Sequence, residues 1–158
     1  MNLAHLHLMF NHIPLVGIGL TILLLIVAIL RRSNELINVA LIFVILVALW
    51  AIPVYLTGEP AEEVVKDLPG ISERMIEEHE EQAEIAFIFV EVTGALALIS
   101  LIVRLYSDKF GHRLALLTLL VLIISGGLMA WTANLGGKIR HPEIRSDKAS
   151  QKYPRSSD

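Results

Sequence analysis

The chain contains no cysteine, little charge and few aromatic residues. Without cysteine there is no disulfide, no iron–sulfur cluster held by thiolates, no thioether-linked haem and no thiol nucleophile. No His-Glu-x-x-His run occurs either, so nothing supports a zinc-dependent hydrolase of that type. Charged residues make up 18% of the 158 positions, against about a quarter in soluble domains. No basic stretch precedes the first apolar block and no small-residue cleavage site follows it, so that block is expected to stay on the protein as an anchor. Nothing in the charge pattern suggests nucleic acid as a partner.

In place of charge the chain has apolar surface: 54% hydrophobic residues and a mean hydropathy of +0.63. These residues fall in four blocks, 13–30, 36–56, 85–103 and 114–133, with Glu91 as the single charge inside them. Each block has about the 20 residues that a helix needs to cross the hydrocarbon core. In lipid, backbone groups must be satisfied within the segment, which selects helices. Blocks apolar on every side cannot form the surface of a soluble bundle. The expectation is an all-α, integral membrane four-helix bundle over residues 1–145, with a flexible polar tail at 146–158.

Four crossings return the chain to the face where it began. That face holds 1–12, the long connection 57–84 and everything after 133; the other holds two short turns, 31–35 and 104–113. The short turns carry Arg31, Arg32, Arg104, Lys109 and Arg113 against Glu35 and Asp108, a net +3, while the first face carries eight basic and thirteen acidic residues. Basic residues in short loops favour the cytoplasm. The termini and 57–84 are therefore expected on the periplasmic side of a bacterial inner membrane.

The 57–84 connection is too patterned for a simple turn. Pro60 suits the first turn of a short helix over 61–68, Pro69-Gly70 is a turn signal, and Ser72 can cap a helix starting at Glu73. No breaker follows before Val103, so the third helix is expected to project about three turns above the membrane. The connection thus forms a helical extracytoplasmic cap. Gly136-Gly137 is expected to end the fourth helix.

Five of the six histidines fall on the capped face: His5, His7, His12, His79 and His141. Asn11 and His12 precede Pro14 at the membrane edge, where an unpaired polar group is costly; a terminus touching lipid headgroups explains one histidine better than three. In Glu77-Glu78-His79-Glu80-Glu81-Gln82-Ala83-Glu84 some carboxylates are simply solvated. Glu80, Glu84 and Glu91 share one helical line, with Glu91 roughly 10 Å deeper than Glu84. Glu91 is either a proton-relay station or a neutral acid bonded to a neighbouring helix. Glu59 and Glu62 lie one turn apart and either address a shared ligand or cap the segment. Arg140 and His141, beyond the glycines, can pair with the acidic connection or with a haem propionate.

The runs Asn11-His12-Ile13-Pro14, Thr57-Gly58-Glu59-Pro60-Ala61-Glu62-Glu63, His79-Glu80-Glu81 and 133–143 (ANLGGKIRHPE) resemble an uncharacterised family of small bacterial four-helix membrane proteins, over most of residues 5–145. A wider group of predicted membrane proteins, with His-Pro in the first helix and Gly-Gly after the last, is loosely similar. The resemblance implies the topology and carries no assigned activity.

Three functions follow from the residues. The first is a b-type haem near the periplasmic face, with His12 and His79 as axial ligands, Asn11, Arg140 and His141 beside it, and electrons passing to or from a partner complex. The second is a zinc, iron or manganese site drawn from His5, His7, His12, Glu59, Glu62, His79, Glu80, Glu84 and His141. The third is a non-catalytic subunit of a larger membrane complex or a homo-oligomer.

Overall fold

The structure, a computed structural model, describes residues 3–66 and 71–141. Six helices follow one another: α1 (Leu3–Phe10), α2 (His12–Leu30), α3 (Asn34–Leu56), α4 (Gly58–Val65), α5 (Glu73–Arg104) and α6 (Asp108–Arg140). Helix α2 packs on α3, α3 on α5, α5 on α6 and α6 back on α2, closing a four-membered ring. Helix α1 leads into α2, and α4 extends α3 and packs on α1. The all-α four-helix bundle is as expected. Each of its long helices is apolar and long enough to cross a membrane, which fits a multi-pass membrane protein.

The sequence explains where the helices break. Pro14 has no N–H for the Phe10 carbonyl, and its ring crowds that oxygen. The interruption falls there, although Asn11 keeps helical torsions and its N–H bonds to the His7 carbonyl at 2.9 Å. Ser33, in an extended conformation, caps α3 by accepting from the Leu36 N–H at 3.3 Å. Ser72 stands at the start of α5 as expected, yet its hydroxyl makes no capping bond. The cap helix begins at Gly58, three residues before the expected 61–68, because Thr57 keeps helical torsions and lets α3 run almost directly into α4. Leu68, the Pro69-Gly70 turn, and the 142–158 stretch with its tail lie outside the described residues.

One expectation is corrected. Gly136 and Gly137 do not end the fourth helix: α6 continues through them to Arg140. Neither glycine is used as a left-handed terminator; at Gly136 the missing side chain makes room for a neighbour instead.

The core explains how the helices approach. Ala28, Ala40, Ala48, Ala51, Ala97 and Ala115 are buried beside Ile18, Leu25, Ile37, Leu41 and Leu122. Small residues let backbones come close where hydrophobic drive between helices is absent. Thr93 and Ser125 share a buried hydrogen bond of 2.9 Å between α5 and α6. Large apolar side chains such as Leu20, Leu23, Leu49, Ile88 and Leu120 face outward, the arrangement lipid requires. Phe10 meets Trp50 edge-on at 5.4 Å, and Tyr55 stacks on Phe87 at 4.3 Å. These pairs tie α1 to α3 and α3 to α5 near the face that carries the N-terminus.

Candidate functional site

Two half-buried histidines organise the N-terminal face: His7 on α1 and His79 on the part of α5 that stands clear of its apolar span. His7 Nδ1 lies 3.1 Å from the Val54 carbonyl and 3.3 Å from the Thr57 hydroxyl. Val54 is in the last turn of α3, where carbonyls lack intrahelical donors. A carbonyl only accepts, so Nδ1 carries the proton and Nε2 keeps its lone pair. The Thr57 hydroxyl donates to the carbonyls of Pro53 and Val54, at 2.9 and 3.0 Å, which turns its oxygen toward His7 as an acceptor.

His79 repeats the arrangement between α5 and α6. Its Nδ1 lies 3.1 Å from the Thr132 carbonyl, so here too the proton sits on Nδ1. Gly136 is one turn beyond Thr132, and a Cβ there would stand 3.1 Å from His79 Cε1. Glycine at this position leaves the Thr132 carbonyl open to the imidazole. In return the Thr132 hydroxyl donates to the Gln82 carbonyl at 3.3 Å and to the Leu128 carbonyl at 3.0 Å. Gly58 plays a looser version of the same part, with its missing Cβ 3.8 Å from His7 Cε1.

Burial pushes both imidazoles below the ordinary histidine pKa, opposed by the hydrogen bond that each donates to a backbone carbonyl. His79 is lowered further by the proximity of His7. Two imidazoles within electrostatic reach, neutral and with fixed tautomers, offer two Nε2 lone pairs. A carbonyl on the far nitrogen is the usual means of orienting a metal-binding histidine. Close by, Asn11 Oδ1 and Gln82 Nε2 are buried without hydrogen-bond partners among the described residues.

A second feature lies between α4 and α5. A cavity of about 330 Å³ is lined by six carboxylates, Glu59, Glu62, Glu63, Glu73, Glu77 and Glu80, with Lys66 and Ile76. Burial, then repulsion from Glu80 and Glu59, pushes the Glu62 carboxyl up to about 7. Among the described residues no three His, Asp or Glu side chains converge as a metal-ligand set, so the cavity and the histidine pair are neighbours and not one coordination sphere.

The other candidates are dispersed. His5, His12, Glu84 and His141 are exposed. The Arg140 side chain lies outside the described residues. The histidine beside His79 is His7, while His12 stands exposed at the start of α2. Glu91 is part-buried, and its buried Oε1 has no hydrogen-bond partner among the described residues, so the bond to a neighbouring helix is not made. Sequence reasoning missed Thr132 and Gln82. The only available signal was a threonine four residues before a glycine near the end of the last apolar block.

No protein-family model, no curated protein and no solved structure matches the chain.

Proposed function

We propose that this is a membrane-embedded redox protein in which Nε2 of His7 and Nε2 of His79 are the axial ligands of a b-type haem. One observation carries the reading: two imidazoles from different helices, close enough for His7 to influence His79, each bind a backbone carbonyl through Nδ1 and so keep Nε2 for a ligand, and among the described residues no set of three His, Asp or Glu side chains converges. Haem iron asks for two protein ligands because the porphyrin supplies the other four, whereas zinc, iron or manganese alone asks for three or more. Gly136, and more loosely Gly58, make room for the imidazoles that would hold the group. The net +3 of the opposite face supports placing the haem at the periplasmic side, where it would exchange electrons with a partner complex.

A second reading rests on the carboxylate cavity. Six acids around about 330 Å³, one of them pushed up to about 7 by burial and its neighbours, would attract a cation, and a non-haem ion there would have to draw side chains together, since no three of them converge as a ligand set among the described residues. An absorption spectrum of the detergent-purified protein, oxidised and dithionite-reduced, with metal analysis of the same sample, separates the two. Reduced bands of b-type haem at about one per chain support the first. Stoichiometric zinc, iron or manganese without those bands replaces it with the second. A sample with neither after growth with added haem precursor and metal removes both.

A further inference from the structure

The opposite end of the bundle holds a buried cation without a counter-charge. Arg104, the last residue of α5, is 9% exposed. Its Nε donates to Asn38 Oδ1 at 2.6 Å and its Nη2 to the Asn34 carbonyl at 3.3 Å, both on α3. Its Nη1 is buried with no partner among the described residues. The nearest ligands are thus neutral, and no carboxylate lies within ion-pair distance of it among the described residues. Gly111 lets the start of α6 close over the arginine stem, since a Cβ there would overlap Arg104 Cγ. An arginine cannot shed its proton, and a buried charge is costly unless paired.

Asn34, which the guanidinium reaches, is also a wall of a groove on this face, about 490 Å³, between the end of α2, the start of α3 and the start of α6. Arg32 and His112 supply further hydrogen-bond donors to it, and Ile29, Leu30 and Ile37 form its apolar side. No acidic residue lines it. Cationic and amide donors therefore meet an apolar wall at the level where membrane-crossing helices end. Leu30, at 77% exposure, continues that wall outward into the region of the acyl chains.

We propose that this groove binds the phosphate headgroup of an anionic phospholipid, with Arg32 and His112 on the phosphate, Arg104 as a second positive charge held behind Asn34 and outside the lining, and Ile29, Leu30 and Ile37 against the first acyl carbons. The lipid brings negative charge to the end of the bundle where Arg104 has no carboxylate partner among the described residues. A free phosphate offers the same oxygens but leaves the apolar wall uncovered, which is why a lipid is the better occupant.

The test uses the full chain in maltoside detergent with phosphatidylglycerol, phosphatidylcholine or inorganic phosphate added. Retained lipid is read by native mass spectrometry and stability by the unfolding midpoint. Phosphatidylglycerol should be retained over phosphatidylcholine and should raise the midpoint. Arg32→Gln should weaken that preference about five-fold, as expected for one surface cation against an anionic lipid, and His112→Gln should weaken it less. Arg104→Gln is informative only if folded, so the two groove variants carry the result. Equal retention of both lipids, or an unchanged preference in both variants, would overturn the proposal. A midpoint rise from inorganic phosphate equal to that from phosphatidylglycerol would transfer the groove to a free anion and overturn the lipid assignment.

Discussion

His79 on α5 donates its Nδ1 proton to the carbonyl oxygen of Thr132 on α6, 3.1 Å away and 53 residues on. A backbone carbonyl cannot accept from a nitrogen lacking a proton, so this contact decides which imidazole nitrogen is available to a ligand. His7 is set the same way by Val54. If these two hold the haem, His7→Ala and His79→Ala should each abolish the reduced b-type bands while leaving the bundle folded. His12→Ala, at an exposed position, should keep them. Loss in the His12 variant with retention in the His7 variant would restore the pair that the sequence suggested. Circular dichroism of the same preparations keeps loss of ligand distinct from loss of fold.

Two glycines of α6 give opposite expectations for the same substitution. At Gly127 an added Cβ meets nothing within 4 Å, so Gly127→Ala should gain up to about 1 kcal/mol from helix propensity alone. At Gly136 the same methyl lies 3.1 Å from His79 Cε1, so the ring must move away from the Thr132 carbonyl. Gly136→Ala should therefore disturb the His79 site, read as a shifted imidazole resonance or a reduced haem content, with little of the stability gain. Equal behaviour of the two variants would show that His79 has room to spare.

The carboxylate cavity predicts a pH dependence through Glu62. Its folded pKa, about 7, is raised by burial and by Glu80 and Glu59, so the folded protein binds this proton more tightly than the unfolded chain. The group then costs no stability below the unfolded carboxyl range near 4.5. The cost develops as pH rises toward 7 and is complete above it. Glu62→Gln should raise the unfolding midpoint at pH 8 and leave it nearly unchanged at pH 4.5. Because Glu62 is only half-buried, solvent screening keeps the effect modest. A midpoint difference that is constant from pH 4.5 to 8 would remove the titration from the account.

The apolar blocks made the bundle legible, because lipid sets both the length and the composition of a spanning helix. Blocks 13–30 and 36–56 nearly coincide with α2 and α3. Block 85–103 is the C-terminal part of α5, whose projecting start at Glu73 was legible from Ser72 and the lack of a breaker, whereas block 114–133 is only the middle of α6, since polar ends such as Asp108–Arg113 stay helical outside the hydrocarbon without announcing it. At the site, His79 was legible as a histidine among acids on a projecting helix. Its link to Thr132 was not, because it depends on the relative register of α5 and α6. Arg104 was legible only as a loop charge. Its burial follows from Gly111, whose missing side chain lets α6 cover it.

The same register makes close packing, not hydrogen bonding, the stronger tie within the bundle. Gly94 on α5 faces Ala48 on α3 so closely that an added Cβ would stand 2.5 Å from the alanine methyl. Neither partner is a flexible side chain that can swing aside, so α3 and α5 would have to separate. Overpacking of this kind costs about 1–3 kcal/mol, and Gly94→Val should reach the upper part of that range. The neighbouring Thr93 donates within α5 to the Phe89 carbonyl at 2.6 Å and shares the buried bond with Ser125. Thr93→Val keeps the shape and deletes both. In a membrane bundle an interhelical hydrogen bond averages only about 0.6 kcal/mol, because the unfolded chain finds other partners there. Unfolding of the two variants in mixed detergent micelles should therefore show Gly94→Val several times more costly than Thr93→Val. The reverse order would mean that α5 is held mainly by its polar contact with α6, and that its seat against α3 can loosen without loss.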